Sequence, residues 1–195
     1  MNNGIAIFSQ QCIIQQLPQH PSILHLCQTY DIRNNTLISA ESIKKKDVWE
    51  TFPAFSADGK TLYFCAATPR PIPAETDQIR YNLCSVEFDP ATGTIGSKVD
   101  TVVFAEGMGK SATFPRPSYD GRFLVYTLSD YGNFSIWHHA ADLWILDLVT
   151  GEYETVCSLG GATIYSIECT ENGEDNTDRC VAACTAVQDD AMFSC

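Results

Sequence analysis

The residues of this chain that could do chemistry are few and mostly basic or aromatic: Trp49, Arg70, Arg80, Arg116, Tyr131 and the run Trp137-His138-His139. The two histidines, with Asp142 three residues on, invite a metal reading. Adjacent residues of a strand point to opposite faces, and no third His is close in sequence, so no metal is assigned. Tyr131 and Trp137 also have a plainer reading, as aromatics that pack a loop. Taken together, the eight residues form a candidate ligand surface, provided the chain folds so that its longest connections share one end.

Catalytic arrangements do not emerge from the same search. There is no Gly-x-Ser-x-Gly elbow to raise a serine nucleophile, and no glycine loop is spaced to cradle phosphate. Carboxylates are plentiful, yet spacing alone assigns no pair to acid/base work. Ser56 to Thr61 has the order Ser-x-Asp-Gly-x-Thr, which lacks the residue between Asp and Gly, and the closing Trp, of a sialidase Asp box. No catalytic residue and no cofactor are therefore expected. An enzyme reading requires a catalytic domain outside these 195 residues.

Charge and composition narrow the partners. With 24 acidic against 12 basic side chains the formal net charge is −12, which disfavours nucleic acid and suits solubility or a basic partner. No apolar run approaches the roughly 18 residues of a membrane helix. The start, Met1-Asn2-Asn3-Gly4-Ile5, lacks the basic and continuous apolar regions of a signal peptide. A complete chain of this kind would stay in the cytoplasm, and a piece of an exported protein would look the same. Nine cysteines, an odd number, include no Cys-x-x-Cys pair; several fall inside apolar runs, where a buried thiol behaves as a small apolar residue.

What must position the candidate surface is a repeat. Thr51-Phe52-Pro53-Ala54-Phe55-Ser56-Ala57-Asp58-Gly59-Lys60 returns 62 residues later as Thr113-Phe114-Pro115-Arg116-Pro117-Ser118-Tyr119-Asp120-Gly121-Arg122. Pro donates no hydrogen bond and belongs at a strand entry or an unpaired position, which aims the preceding Phe inward. Asp-Gly supplies the positive φ of a two-residue hairpin turn, and the Ser hydroxyl can bond the turn backbone. An apolar run follows each copy, Leu62-Tyr63-Phe64-Cys65 and Phe123-Leu124-Val125-Tyr126. A second element repeats independently: apolar runs close on Asp31, Asp89 and Asp147, evenly spaced 58 apart, and turn residues follow the latter two.

Each unit then holds four strands and three connections. The expected fold is all-β, a partial β-propeller of four-stranded antiparallel meander blades with a period of about 58 residues. The single incomplete propeller domain, 1–195, divides into a partial unit over 1–48, whole units over 49–110 and 111–165, and a degenerate or truncated one over 166–195. In such a meander the connections 68–79 and 128–141 share an end with the links 41–50 and 106–112. That end collects Arg70, Arg80, Tyr131, Trp137, His138 and His139, flanked by Trp49 and Arg116.

With both elements placed, the chain resembles the TolB-like propeller repeats, relatives of WD repeats whose signature is an aromatic or Pro before Ser-Pro-Asp-Gly-Lys/Arg. Ala57 and Tyr119 replace the Pro of that signature. The stretch 126–148 is similar to envelope proteins of this type from Bacteroidetes-like bacteria. The likeness covers about residues 4–157 and implies a periplasmic or lipid-anchored docking surface for a protein or peptide, with no catalytic motif. The alternative is the propeller portion of a larger enzyme, a prolyl-oligopeptidase-like peptidase or a carbohydrate-active protein. Propeller blades bury their faces only on neighbours, so two whole units alone would expose apolar faces and strand edges. A fragment of a larger propeller, or self-association, is the corresponding expectation.

Overall fold

The structure, a computed structural model, describes residues 29–31, 36–38, 48–71, 74–135, 141–157, 163–171 and 178–185. The strand expected over Gly4 to Ser9, the connection after Cys12 and the lysines 44 to 46 lie outside them. Twelve strands are described: β1 (Thr29–Asp31), β2 (Thr36–Ile38), β3 (Trp49–Phe55), β4 (Thr61–Ala67), β5 (Asn82–Asp89), β6 (Thr94–Val103), β7 (Ser111–Pro117), β8 (Phe123–Ser129), β9 (Ala141–Asp147), β10 (Tyr153–Cys157), β11 (Thr163–Glu171) and β12 (Asp178–Thr185). Two sheets are complete antiparallel meanders, β3-β4-β5-β6 and β7-β8-β9-β10; β1–β2 and β11–β12 are hairpins.

The second strands β4 and β8 are the continuous apolar runs of the sequence, and they are buried on both faces, as such runs require. Tyr63, Leu83 and Val103 of the first sheet, with Ala105 of the link that follows it, meet Ala112, Leu124, Tyr126, Leu128 and Leu146 of the second in one core. On the first sheet's other face Leu62, Phe64, Cys84, Val86 and Phe88 form a separate cluster. Cys65 pairs across the ladder with Leu83 and Cys84 with Phe64. The two buried thiols therefore face opposite sides of one sheet, which keeps their sulfurs apart.

At the Asp-Gly turns the structure corrects the two-residue expectation. Ser56 pairs with Thr61, its N donating to the Thr61 carbonyl at 2.9 Å, and Ser118 pairs with Phe123 at 2.8 Å, so four residues lie in each loop. Only the glycine takes a left-handed conformation, with φ of 70° at Gly59 and 74° at Gly121. The aspartate is otherwise engaged: Asp58 Oδ1 accepts from Ser56 Oγ at 2.7 Å and from the Lys60 amide at 3.0 Å. Asp120 does the same with Ser118 and Arg122. Each serine oxygen in turn accepts the amide that closes the loop, Thr61 at 2.9 Å and Phe123 at 2.8 Å.

The Phe-Pro element is a bulge. Thr51 faces Cys65 and Ala54 faces Tyr63, so β3 carries one residue more than β4; Thr113, Arg116, Thr127 and Val125 repeat the mismatch in β7. Phe52 and Phe114 stand there with φ of 52° and 53°, a region that costs an ordinary residue about 1–2 kcal/mol. Ring packing offsets this. The two repeat-related rings meet at 4.3 Å between centroids, Phe52 also meets Phe134 at 5.1 Å, and Phe134 stacks on Tyr81 at 5.3 Å. Through these rings β3 packs on β7, and β11 also packs on β7.

The aspartates 58 residues apart share one setting against the strand that follows each of them. Asp31 pairs with Thr36, Asp89 with Thr94, and the Asp147 amide donates to Glu152 at 2.9 Å, each five residues on. Against the second strand Asp89 and Asp147 differ: Thr61 faces Glu87, whereas Phe123, at the same place after its turn, faces Asp147.

Candidate functional site

The end of the molecule built by the three long connections is the natural place to look. The β4–β5 connection carries a 3-10 turn at Thr76–Gln78, the β6–β7 link another at Glu106–Met108, and the β8–β9 connection enters through 130–135. They are stitched across the two sheets. Arg80 donates from Nε to the Gly109 carbonyl at 3.1 Å and from a terminal nitrogen to the Asp77 carbonyl. The Asn133 amide donates to the Ile79 carbonyl at 2.5 Å, and Ser111 Oγ donates to the Asn133 carbonyl at 2.8 Å while accepting the Tyr81 amide at 3.1 Å. Asn133 takes φ of 67°, which a short amide side chain tolerates. Asn82 and Glu106 exchange two hydrogen bonds, of 2.9 and 3.3 Å, and Lys110 pairs with Asp130.

Gly132 is needed for a close approach. A Cβ there would overlap the Asp77 carbonyl and the Arg80 guanidinium, so only glycine lets the two connections touch. Beneath them lies a patch of buried side chains, Cys65, Ala67, Ile79 and Tyr81, with Trp49, Phe52 and Phe134 against it.

Five of the eight sequence-derived candidates fall on described residues. Arg80 and Tyr131 come together at this end, Arg80 as the stitch and Tyr131 with 48% of its surface exposed. Arg70 sits on the same connection, 3.9 Å from Glu75. Trp49, half-buried, packs under the loops. Arg116 is elsewhere, toward the far end of β7, because its Nε donates to the Ile167 carbonyl of β11 at 2.8 Å and Nη1 to the Pro115 carbonyl at 2.9 Å. Trp137, His138 and His139 lie outside the described residues. Among those described, no three His, Cys, Asp or Glu are grouped to hold a metal, and no helix is long and apolar enough to cross a membrane.

Sequence reasoning missed Phe104 and Met108, 59% and 45% exposed on the β6–β7 link. The signal was present: two large apolar residues four apart in a polar link, with Gly107 between them, where a Cβ would strike the Phe104 ring.

Titration is perturbed at the opposite end. The Ser56 hydroxyl, then the Lys60 amide, hold the Asp58 carboxyl below its ordinary value. The Thr92 hydroxyl does so for Asp89, at 2.7 Å, and the Arg122 guanidinium for Asp147, at 2.8 Å. In the core, burial pushes the Tyr126 phenol up to about 12.

No protein-family model matches this chain, and no curated protein matches it in sequence. Solved structures do. A puromycin-hydrolysing peptidase of Mycobacterium tuberculosis superposes with a TM-score of 0.51 at 12% identity, over 87% of this chain and 27% of that one. An acylaminoacyl peptidase bound to a chloromethyl ketone gives 0.36 at 13% identity, over 76% of this chain and 25% of that one. The chain thus spans about a quarter of the length of each. The first likeness is one of fold: an all-β chain with two four-stranded antiparallel sheets, packed as part of a peptidase chain is packed.

Proposed function

We propose that this chain is part of a β-propeller and works as a non-catalytic binding module, holding a protein or peptide partner on the end where its long connections meet. One observation carries the reading: connections from two sheets are locked together through Arg80, Ser111 and Asn133, and this rigid end keeps Phe104, Met108 and Tyr131 exposed. Aromatic and methionine side chains on a fixed backbone are the composition of interface centres. The resemblance to TolB-like repeats supports a place in the bacterial envelope. Selection of peptides on the purified chain tests the function. Binding weakened about tenfold by Tyr131→Ala or Met108→Ala supports it, and binding that shifts only with Tyr119→Ala or Val149→Ala, at the other end, overturns it.

A second reading is favoured by the structural likeness: the propeller portion of a peptidase, with the catalytic domain supplied by chain outside these residues. It expects a longer protein containing this chain to hydrolyse aminoacyl anilides, with the loop end facing the catalytic domain. Peptide binding by that protein without hydrolysis favours the first reading.

A further inference from the structure

The two whole sheets seat the connections between their second and third strands on chemically different floors, although the floors hold matching places in the repeat. Trp49 faces Ala67 and Thr51 faces Cys65 in the first sheet; Ser111 faces Ser129 and Thr113 faces Thr127 at the same places in the second. The first floor is apolar: Cys65, Ala67, Ile79 and Tyr81 cluster there, with Trp49 against them. The second is made of hydroxyls, and Ser111, Thr113, Thr127, Ser129 and Ser135 are all fully buried. Apolar packing holds a loop without direction, whereas a buried hydrogen bond fixes distance and angle and is costly to leave unmade.

These hydroxyls meet every second residue of the β8–β9 connection. Ser129 Oγ donates to the Tyr131 carbonyl at 3.1 Å, while reaching the Ser111 carbonyl at 3.4 Å, and Ser111 Oγ donates to the Asn133 carbonyl at 2.8 Å. Ser135 Oγ lies 3.1 Å from Thr113 Oγ1, which is itself 2.5 Å from Thr127 Oγ1. The two carbonyls so held stand on either side of Gly132, the residue pressed against Asp77 and Arg80. The segment is thus gripped by its backbone, and Tyr131 keeps 48% of its surface exposed. Resting on the binding-module reading, we infer that Ser129 and Ser111 are positioning residues of the binding end: their hydroxyls hold the backbone at 131 and 133 so that the Tyr131 ring meets the partner in one preset orientation. Presetting the ring spares the partner the ordering cost of binding, so affinity falls with the fraction of time the ring is misplaced.

A double-mutant cycle tests this, with peptides selected on the purified chain as the probe. Ser129→Ala is expected to weaken their binding about tenfold in the unmodified background and by less than about twofold in a Tyr131→Ala background, because the hydroxyl acts through that ring. A hydroxyl needed only for stability would weaken both alike. A fluorotyrosine placed at 131 alone reads the orientation directly: one sharp fluorine NMR line is expected from the chain, and a broadened or divided line from Ser129→Ala and from Ser111→Ala. Gly121→Ala, which strains the opposite end, should leave affinity and line unchanged. Should the serine variants fail to fold, amide order parameters of the unmodified chain decide: values of about 0.85 at 131–133 support the inference, and values below about 0.6 overturn it. Equal weakening in both backgrounds, or a line that the serine variants leave sharp, also overturns it. Those results leave the proposed function standing, since peptides still bind through Tyr131. A chain that yields no peptide but gives the divided line overturns the function and not the positioning, so the two fail separately.

Discussion

The repeated phenylalanine is where local strain and packing oppose each other most directly. Phe114 is 8% exposed, its ring lies on Phe52, and its backbone is left-handed at a position where this class of bulge usually takes glycine. Removing the ring while keeping a Cβ costs both ways. Phe114→Ala is expected to destabilise by about 3 kcal/mol or more. Phe114→Gly should be milder by about 1 kcal/mol, because glycine takes this φ without penalty. Elsewhere in a strand glycine is the worse of the two, so the reversed order in denaturant unfolding is diagnostic. An Ala variant as stable as the Gly variant would show that Phe114 carries no strain. The sequence revealed the Phe-Pro repeat but not its conformation, since a residue before Pro is ordinarily extended with negative φ, and both phenylalanines take the opposite sign.

The turn aspartates offer a pH test at the same scale. Free Asp titrates near 3.9. Asp58, Asp89 and Asp147 are all lowered, so the stability they contribute is present above that value and is lost as pH falls through their lower folded values. Carboxyl-carbon NMR should show three midpoints below that of free Asp. Arg122→Met should raise the midpoint of Asp147 and leave that of Asp89 in place, since Asp89 is held by Thr92.

That contrast belongs to the level of elements. Two periods were visible in the chain, 62 between the Asp-Gly turns and 58 between the closing aspartates, and they cannot both be the spacing of one rigid unit. The structure resolves them as a two-residue difference in how the second and third strands pair, which sets Arg122 opposite Leu148, its guanidinium within reach of the Asp147 carboxylate, and leaves Lys60 opposite Phe88. Strand order and the connecting ends were legible because alternation, Pro and Asp-Gly act locally. The stitching of the connections was not, because Gly132, Asn133 and Ser111 carry no pattern of their own. Gly121→Ala meets open space and should cost only the left-handed penalty, about 1–2 kcal/mol. Gly132→Ala meets the Asp77 backbone, so it should cost more in thermal unfolding and also speed hydrogen exchange at 77–82. Equal effects of the two would mean that the connections part easily.

For the whole molecule, the all-β class and the two four-stranded antiparallel sheets were legible in the sequence. The pairing within the two hairpins is a matter of register, Asp31 with Thr36 five residues on and Ile164 with Cys184 twenty residues on. Arg116 shows the limit of that legibility. It was expected to flank the end where the long connections meet, whereas its Nε donates to a carbonyl 51 residues away, on a hairpin with no Phe-Pro of its own.

Cys65 and Cys84, set back to back across one sheet, give the packing a direct chemical readout. A maleimide too bulky to slip between strands can reach Cys65 only when the side toward the neighbouring sheet comes away, and Cys84 only when the reverse side does. Their labelling rates, separated by peptide mass, would tell which flank of the sheet lets go first on heating.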